Sequence, residues 1–314
     1  MLSLMECIPP SAELSSSVDR MPFLFKHNLS GHELFSRSAI KKLIEQIGAL
    51  PPKSSKTGRP VTRGFFIKEG AGSLEWGSPE FQKALNEAYD HIDLCGARIK
   101  LSSIHQIDSY AEVLSTCVTN LSDATGVDFS RHFSRAIATL FITSPGEFTP
   151  YHIDQEVNFL LQIEGEKEVQ VFDGSDRTVV TPTQLEGFWT GRHFIEPKPD
   201  SKPKTFLLTP GYGVHHPSFF PHTVQVGKNM SVSLSLGFQR AHFTEAEVSL
   251  LNAYLRKLGL NPRPPGVNRG LDAVKSAIAR PTVMAKNAIL GSAGIPISSL
   301  QRRFHDQPRR SAHS

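Results

Sequence analysis

His152 and Asp154, in Thr149-Pro150-Tyr151-His152-Ile153-Asp154, are two metal-ligand types separated by one residue. Alternate side chains of a β-strand share a face, so at the start of a strand this spacing aims both donors at one point. One more histidine would complete a 2-His-1-carboxylate set, which grips Fe(II) on one side and leaves the remaining positions open. His222, in Phe220-Pro221-His222-Thr223-Val224, opens a second β-like run and is the expected third ligand, reaching the ion from across a barrel. His215 and His216 precede Pro217 in a predicted turn, and His216 is the alternative third ligand. His27, His32, His91, His105, His132, His193 and His242 have no paired ligand spacing and read as surface or core histidines. A structural zinc site would favour cysteine donors, and none is near. Hydrolytic zinc on the same three residues is left open by ligand identity.

A 2-oxoglutarate co-substrate would chelate such an iron through its keto-acid end and need a cation for its far carboxylate. An arginine about ten residues past the distal histidine is one solution, but Val232 and Ser233 stand there. Lys167 is the other. It follows the Gly165 turn, and a single strand return is expected to bring it beside His152.

These side chains need a β scaffold. Ala136–Thr143, Asn158–Ile163, Glu168–Phe172, Thr205–Leu208 and Ser231–Phe238 are short β-like runs divided by Gly and Pro, the texture of a jelly roll or cupin barrel. Ser231 to Leu236 alternates polar and apolar residues, which predicts one buried and one solvent-facing side. Upstream, helices are predicted over Ser36–Gly48, Pro79–Asp93 (Ser78 as N-cap) and Ala111–Thr125, with a strand over Ala97–Ile104 and a loop over Pro51–Gly58. Downstream, Thr244 reads as the N-cap of a helix with Val248, Leu251, Leu255 and Leu258 on one stripe, serving either dimerisation or packing on its own barrel. One more helix, interrupted at Pro281, is predicted beyond residue 270. The expected division is 1–130 for N-terminal elements packed on the core, 131–242 for the catalytic β-helix, and 243–314 for a helical extension with a basic tail.

The spaced pattern Thr149-Pro150, His152, Asp154, Asn158-Phe159, Gln162-Ile163, Gly165 and Lys167 resembles the core motif of the JmjC-type, cupin-like 2-oxoglutarate oxygenases. It is most similar to the branch containing the asparaginyl hydroxylase of hypoxia-inducible factor. The resemblance covers roughly residues 136–240. It implies a double-stranded β-helix, mainly β with flanking helices, and Fe(II), 2-oxoglutarate and O₂ as cofactor and co-substrates. It also implies iron on His152, Asp154 and His222, the 2-oxoglutarate C5 carboxylate on Lys167 and Thr149, and Asn158 near the co-substrate or oxygen site. The asparagine that this branch carries after its distal histidine is replaced here, with Ser235 the nearest polar residue. The activity implied is hydroxylation of a protein side chain, or of a small metabolite or amino acid, with release of succinate and CO₂. The competing class is a catalytically silent cupin-type binding or regulatory protein.

Bulk properties agree with a globular protein. Of 314 residues 39% are hydrophobic and 20% charged, and Phe outnumbers Trp and Tyr. Three unevenly spaced cysteines make no disulfide framework, and the N-terminus has neither a basic n-region nor a long apolar run, so a cytoplasmic location without membrane attachment is expected. From Arg256 onward eleven basic residues face two acidic ones, so the net +4 divides into +9 for the tail and −5 for the body. No nucleic-acid motif accompanies that tail, so nucleic acid is left out as a partner, and the helical extension is the expected seat of a homodimer. The segment Asp173–Lys204, with Trp189, Arg192 and His193, reads as a lid that selects the substrate.

Overall fold

Apolar spacing and capping set the N-terminal elements. The computed structural model describes residues 7–49, 53–54, 60–61, 64–67, 78–189, 191, 195–290, 295–297 and 299–300. The first half contains α1 (Ala12–Ser17), β1 (Phe23–Lys26), α2 (Arg37–Ala49), β2 (Lys53–Ser54), β3 (Pro60–Val61), β4 (Gly64–Ile67), α3 (Pro79–Asp90), β5 (Arg98–Ser102), α4 (Asp108–Thr125) and α5 (Phe129–His132). Ile40, Leu43, Ile44 and Ile47 of α2 all turn inward, as their helical spacing requires. The Ser78 hydroxyl accepts the Phe81 N–H and starts α3. Gly126, at φ +65°, ends α4 in the left-handed conformation that favours glycine. Within the expected loop Pro51–Gly58, the described residues Lys53 and Ser54 instead pair with β3; the others lie outside the described residues.

The second half holds β6 (Phe133–Thr143), β7 (Phe148–His152), β8 (Val157–Glu164), β9 (Lys167–Val171), α6 (Pro182–Phe188), β10 (Lys204–Leu208), β11 (Tyr212–His216), β12 (His222–Val226), β13 (Ser231–Arg240), α7 (Thr244–Lys257), α8 (Arg269–Leu290) and β14 (Ile295–Pro296). They form two facing antiparallel sheets. The larger runs β1-β11-β8-β13-β6-β5-β4, with β14 on β6, and the smaller runs β10-β9-β12-β7. This is the expected double-stranded β-helix, mainly β with flanking helices. β1, β4 and β5 extend the larger sheet, whose outer face packs on the N-terminal helices through Phe25, Phe159, Phe129 and Phe238. Phe25 and Phe238 each meet Phe159 edge to face, the favoured geometry for aromatic pairs.

Three local expectations change. Ser231 to Leu236 is buried on both faces, because β13 lies between β6 and β8 with the second sheet over its serine side. The serines bond inward: Gln162 Nε2 donates to Ser231 Oγ at 2.7 Å, and Ser233 Oγ donates to Gln162 Oε1 at 2.7 Å. Thr244 is the first helical residue of α7 and not its cap; Phe243 holds the cap position without a side-chain bond. α8 continues through Pro281, because Ala279 and Val283 on either side are buried and packing outweighs the lost backbone bond.

Residues of the basic tail do structural work. Arg256 Nε lies 2.5 Å from Glu186 Oε2, and Arg280 Nε 3.2 Å from Glu247 Oε1. Lys275 donates to Asn252 Oδ1 and to the Arg263 carbonyl. Residues 301–314 lie outside the described residues.

Candidate metal centre and its cavity

β7 and β12 are neighbours in the smaller sheet, with His152 directly opposite His222. The expected third ligand, His222, therefore stands on the adjacent strand and not across the barrel, since antiparallel pairing alone brings the two imidazoles together. Asp154 lies beyond the end of β7, so the ligand pair sits at the finish of a strand and not at its start. Asp154 Oδ2 is 3.9 Å from His152 Nε2 and 3.7 Å from His222 Nε2. One ligand atom from each residue lies within 4.8 Å of the others, and the three could hold a metal ion.

The ring orientations fit that use. His152 Nδ1 donates to the Pro150 carbonyl at 2.7 Å, and His222 Nδ1 to the Phe220 carbonyl at 3.1 Å. Each bond fixes the tautomer and leaves the Nε2 lone pair on the Asp154 side. Burial, followed by the neighbouring His152, pushes the His222 pKa down to about 4, so its neutral form prevails at neutral pH. Burial opposes the charge on Asp154, but the surrounding imidazoles and Lys100 outweigh it and hold the carboxyl below its usual range. A carboxylate oxygen beside two imidazole nitrogens is a donor set for an intermediate divalent ion.

His216 belongs to β11 and not to a turn. Its ring centre is 4.3 Å from that of His222 and it lines the cavity, but it is outside the three-residue cluster. His215 is structural: its Nε2 accepts the Asp19 N–H at 2.9 Å, and its Nδ1 donates to the Asn158 carbonyl at 3.0 Å.

The cluster opens into a cavity of about 490 Å³ between the sheets. Lys167, Thr149 and Asn158 all line it. Lys167 is not beside His152, because β12 intervenes: Lys167 pairs with Val226 and Val171 with His222. Lys167 is thus four residues along β9 from the metal level, roughly 13 Å of strand at about 3.3 Å per residue. Its side chain is 4% exposed and has no carboxylate partner among the described residues. Burial lowers its pKa to about 7.

Thr149 and His152 are three residues apart and would face opposite ways in a regular strand. Both line the cavity because the β7–β12 register shifts between them. Asn158 Oδ1 accepts a 2.9 Å bond from Ser235 Oγ, which ties the two expected cavity residues together. Trp189 is buried against Phe188 under α6 and does not line the cavity; Arg192 and His193 lie outside the described residues. The predicted irregular segment contains α6, opened by a Thr181–Gln184 capping box.

Sequence reasoning missed Lys100 and Phe141. Lys100 is opposite Phe141 in the β5–β6 ladder, and both line the cavity. The alternation Arg98, Lys100, Ser102 was the available signal, but nothing in it showed that β5 joins the larger sheet beside the cavity.

No curated protein matches the chain. Among solved structures, Escherichia coli YcfD superposes with a TM-score of 0.48 at 15% identity, covering 87% of this chain and 66% of that one. A second YcfD structure, described as a ribosomal oxygenase in complex with cobalt and 2-oxoglutarate, gives 0.47 at 15% identity, covering 87% and 65%. The chain thus spans just under two thirds of the length of these YcfD chains. The DMSP lyase DddQ from Ruegeria pomeroyi gives 0.22 at 18% identity, covering 33% and 39%. Residues 114–246, which contain His152, Asp154, Lys167 and His222, match the family model described as the JmjC domain.

Proposed function

We propose that this protein is an Fe(II)- and 2-oxoglutarate-dependent dioxygenase that hydroxylates a protein side chain or a small metabolite such as an amino acid. The observation that carries the reading is one cavity with a His-Asp-His cluster at one end and a buried, carboxylate-free lysine further along. His152, Asp154 and His222 would hold the metal on one side. Lys167 would receive the C5 carboxylate, Thr149 would add a hydroxyl donor, and Asn158 would stand near the co-substrate. When bound, Fe(II) with 2-oxoglutarate and O₂ supplies an oxidant able to hydroxylate a C–H bond, yielding succinate and CO₂. The chain's own work is to orient the ligand rings through Pro150 and Phe220, keep the anchor dry with Phe141, Leu160 and Val169, and leave one side of the ion open.

Placement beside the asparaginyl hydroxylases is part of the proposal and rests on the spacing of Thr149, Asn158 and Lys167. So is the division at 131–242. A cytoplasmic location suits ferrous iron, and no helix among the described residues is long and apolar enough to cross a membrane. Pairing through the C-terminal helices is supported by exposed Leu271, Val274, Ile278 and Met284 on α8.

The test is spectroscopic. Anaerobic protein with Fe(II) and 2-oxoglutarate is expected to develop a weak visible charge-transfer band, and in air to form succinate. Folded protein that binds Fe(II) but gives neither result is a silent cupin-type binding or regulatory protein instead.

A further inference from the structure

Arg98, Ile99, Lys100 and Ser102 of β5 line the cavity, and within the strand Ile99 and Leu101 are the buried core residues. Two ammonium groups approach one aromatic ring there. Lys100 Nζ is 5.6 Å from the Phe141 centroid and Lys167 Nζ is 5.9 Å from it. The two lysines differ in surroundings, because Lys167 is buried whereas Lys100 is exposed. Lys100 therefore marks the wet side of the cavity.

Its neighbours leave it available. Arg98 is committed to Glu147, with Nε 2.7 Å from Oε2. Lys100 has no ion pair within 4.0 Å among the described residues. The carboxylates whose charge it feels are Asp154 and Glu156. Asp154 belongs to the metal cluster. Glu156 is hydrogen-bonded by Gln239 and does not line the cavity.

Charge balance completes the argument, and it rests on the reading given under Proposed function. A divalent ion, Asp154, Lys167 and the two carboxylates of 2-oxoglutarate cancel. Lys100 remains as the uncompensated cation, and it is the exposed one of the two lysines on the cavity lining. We propose that Lys100 is a specificity-determining residue that holds a carboxylate of the primary substrate. A docking substrate covers the ammonium and thins the water around it, which strengthens the attraction. The ammonium is a point charge on a flexible stem, so it asks for a negative group without demanding a bidentate fit. The carboxylate can belong to a free amino diacid or to an acidic residue of a peptide.

The experiment uses full-length protein loaded with Mn(II) and 2-oxoglutarate, titrated with three probes and read by calorimetry. The probes are L-aspartate, the blocked peptide acetyl-Gly-Asp-Gly-amide, and its Asn counterpart. At least one acidic probe is expected to bind about tenfold or more tightly than the Asn peptide. Preference for free aspartate identifies a small-molecule substrate, and preference for the acidic peptide a protein one. Lys100→Met should erase the discrimination and leave 2-oxoglutarate affinity within about twofold, while Lys100→Arg keeps most of it. Equal binding of all three probes, or of none, overturns the proposal. So does a Lys100→Met variant that loses 2-oxoglutarate as severely as Lys167→Met, which would make Lys100 part of the co-substrate anchor. Wild-type protein that takes up neither Mn(II) nor 2-oxoglutarate sinks the underlying site reading along with it.

Discussion

His152 and His222 are register partners on adjacent antiparallel strands, with ring centres 4.1 Å apart. Two of the three candidate ligands thus share a single ladder rung. The ladder supplies their spacing, and the Pro150 and Phe220 carbonyls supply their orientation.

Removing a ligand should separate the true triad from its neighbour. His222→Ala is expected to weaken Mn(II) binding by about 100-fold or more, whereas His216→Ala should stay within about tenfold of wild type, the lower end of what outer-shell changes cost. Calorimetric Mn(II) titration of both variants measures this. Similar losses in the two would make His216 a ligand.

Lys167 predicts a pH dependence of co-substrate binding. Its folded pKa is lowered to about 7, and only the ammonium attracts a carboxylate. Affinity for 2-oxoglutarate should be highest below pH 7 and fall by up to about tenfold per pH unit above it, with proton uptake on binding. Calorimetry in buffers of different ionisation enthalpy detects that uptake. An affinity flat from pH 6 to 9 would remove Lys167 from the anchor.

The same lysine costs the empty protein stability. Because the folded pKa lies below the unfolded one, the unfolded chain binds more protons between about pH 7 and the ordinary lysine value. Stability without ligand should therefore decline as pH falls through that window and level off below 7. Lys167→Met should abolish the slope and raise stability at pH 6 by a few kcal/mol, since each tenfold loss of proton affinity on folding costs about 1.4 kcal/mol. Denaturant unfolding at pH 6 and pH 9 checks it.

Gly165 fixes the entry to β9. Its φ is +71°, and a Cβ there would stand 2.1 Å from the Met230 carbonyl oxygen. Gly165→Ala combines backbone strain with a backbone clash and is expected to destabilise by more than about 2 kcal/mol. It should also weaken 2-oxoglutarate binding, since Lys167 follows two residues later. A variant that melts like wild type would contradict the close approach.

Gln162 ties β8 to β13 from inside the sheet sandwich. Gln162→Leu would leave the buried Ser231 and Ser233 hydroxyls without this partner, at about 1–3 kcal/mol for each unsatisfied group. Replacing both serines by alanine in that background should recover part of the loss, which urea unfolding of the two variants would show.

The sequence by itself determined the candidate His-Asp-His set, the turn glycine, the lysine that follows it and the positions of most strands. These are local properties, written in residue type, alternation and the Gly and Pro breaks. Only the tertiary structure decided which strands become neighbours. Alternation in Ser231–Leu236 looked like a solvent face because a strand cannot announce that a second sheet covers it. Period-two counting separates Thr149 from His152, and the register shift between them reunites them. Lys100 drew no notice while β5 was one strand among helices. Its pairing with β6 places it over Phe141 in the cavity, since hydrogen bonding between distant strands, and not spacing along the chain, chooses which side chains meet.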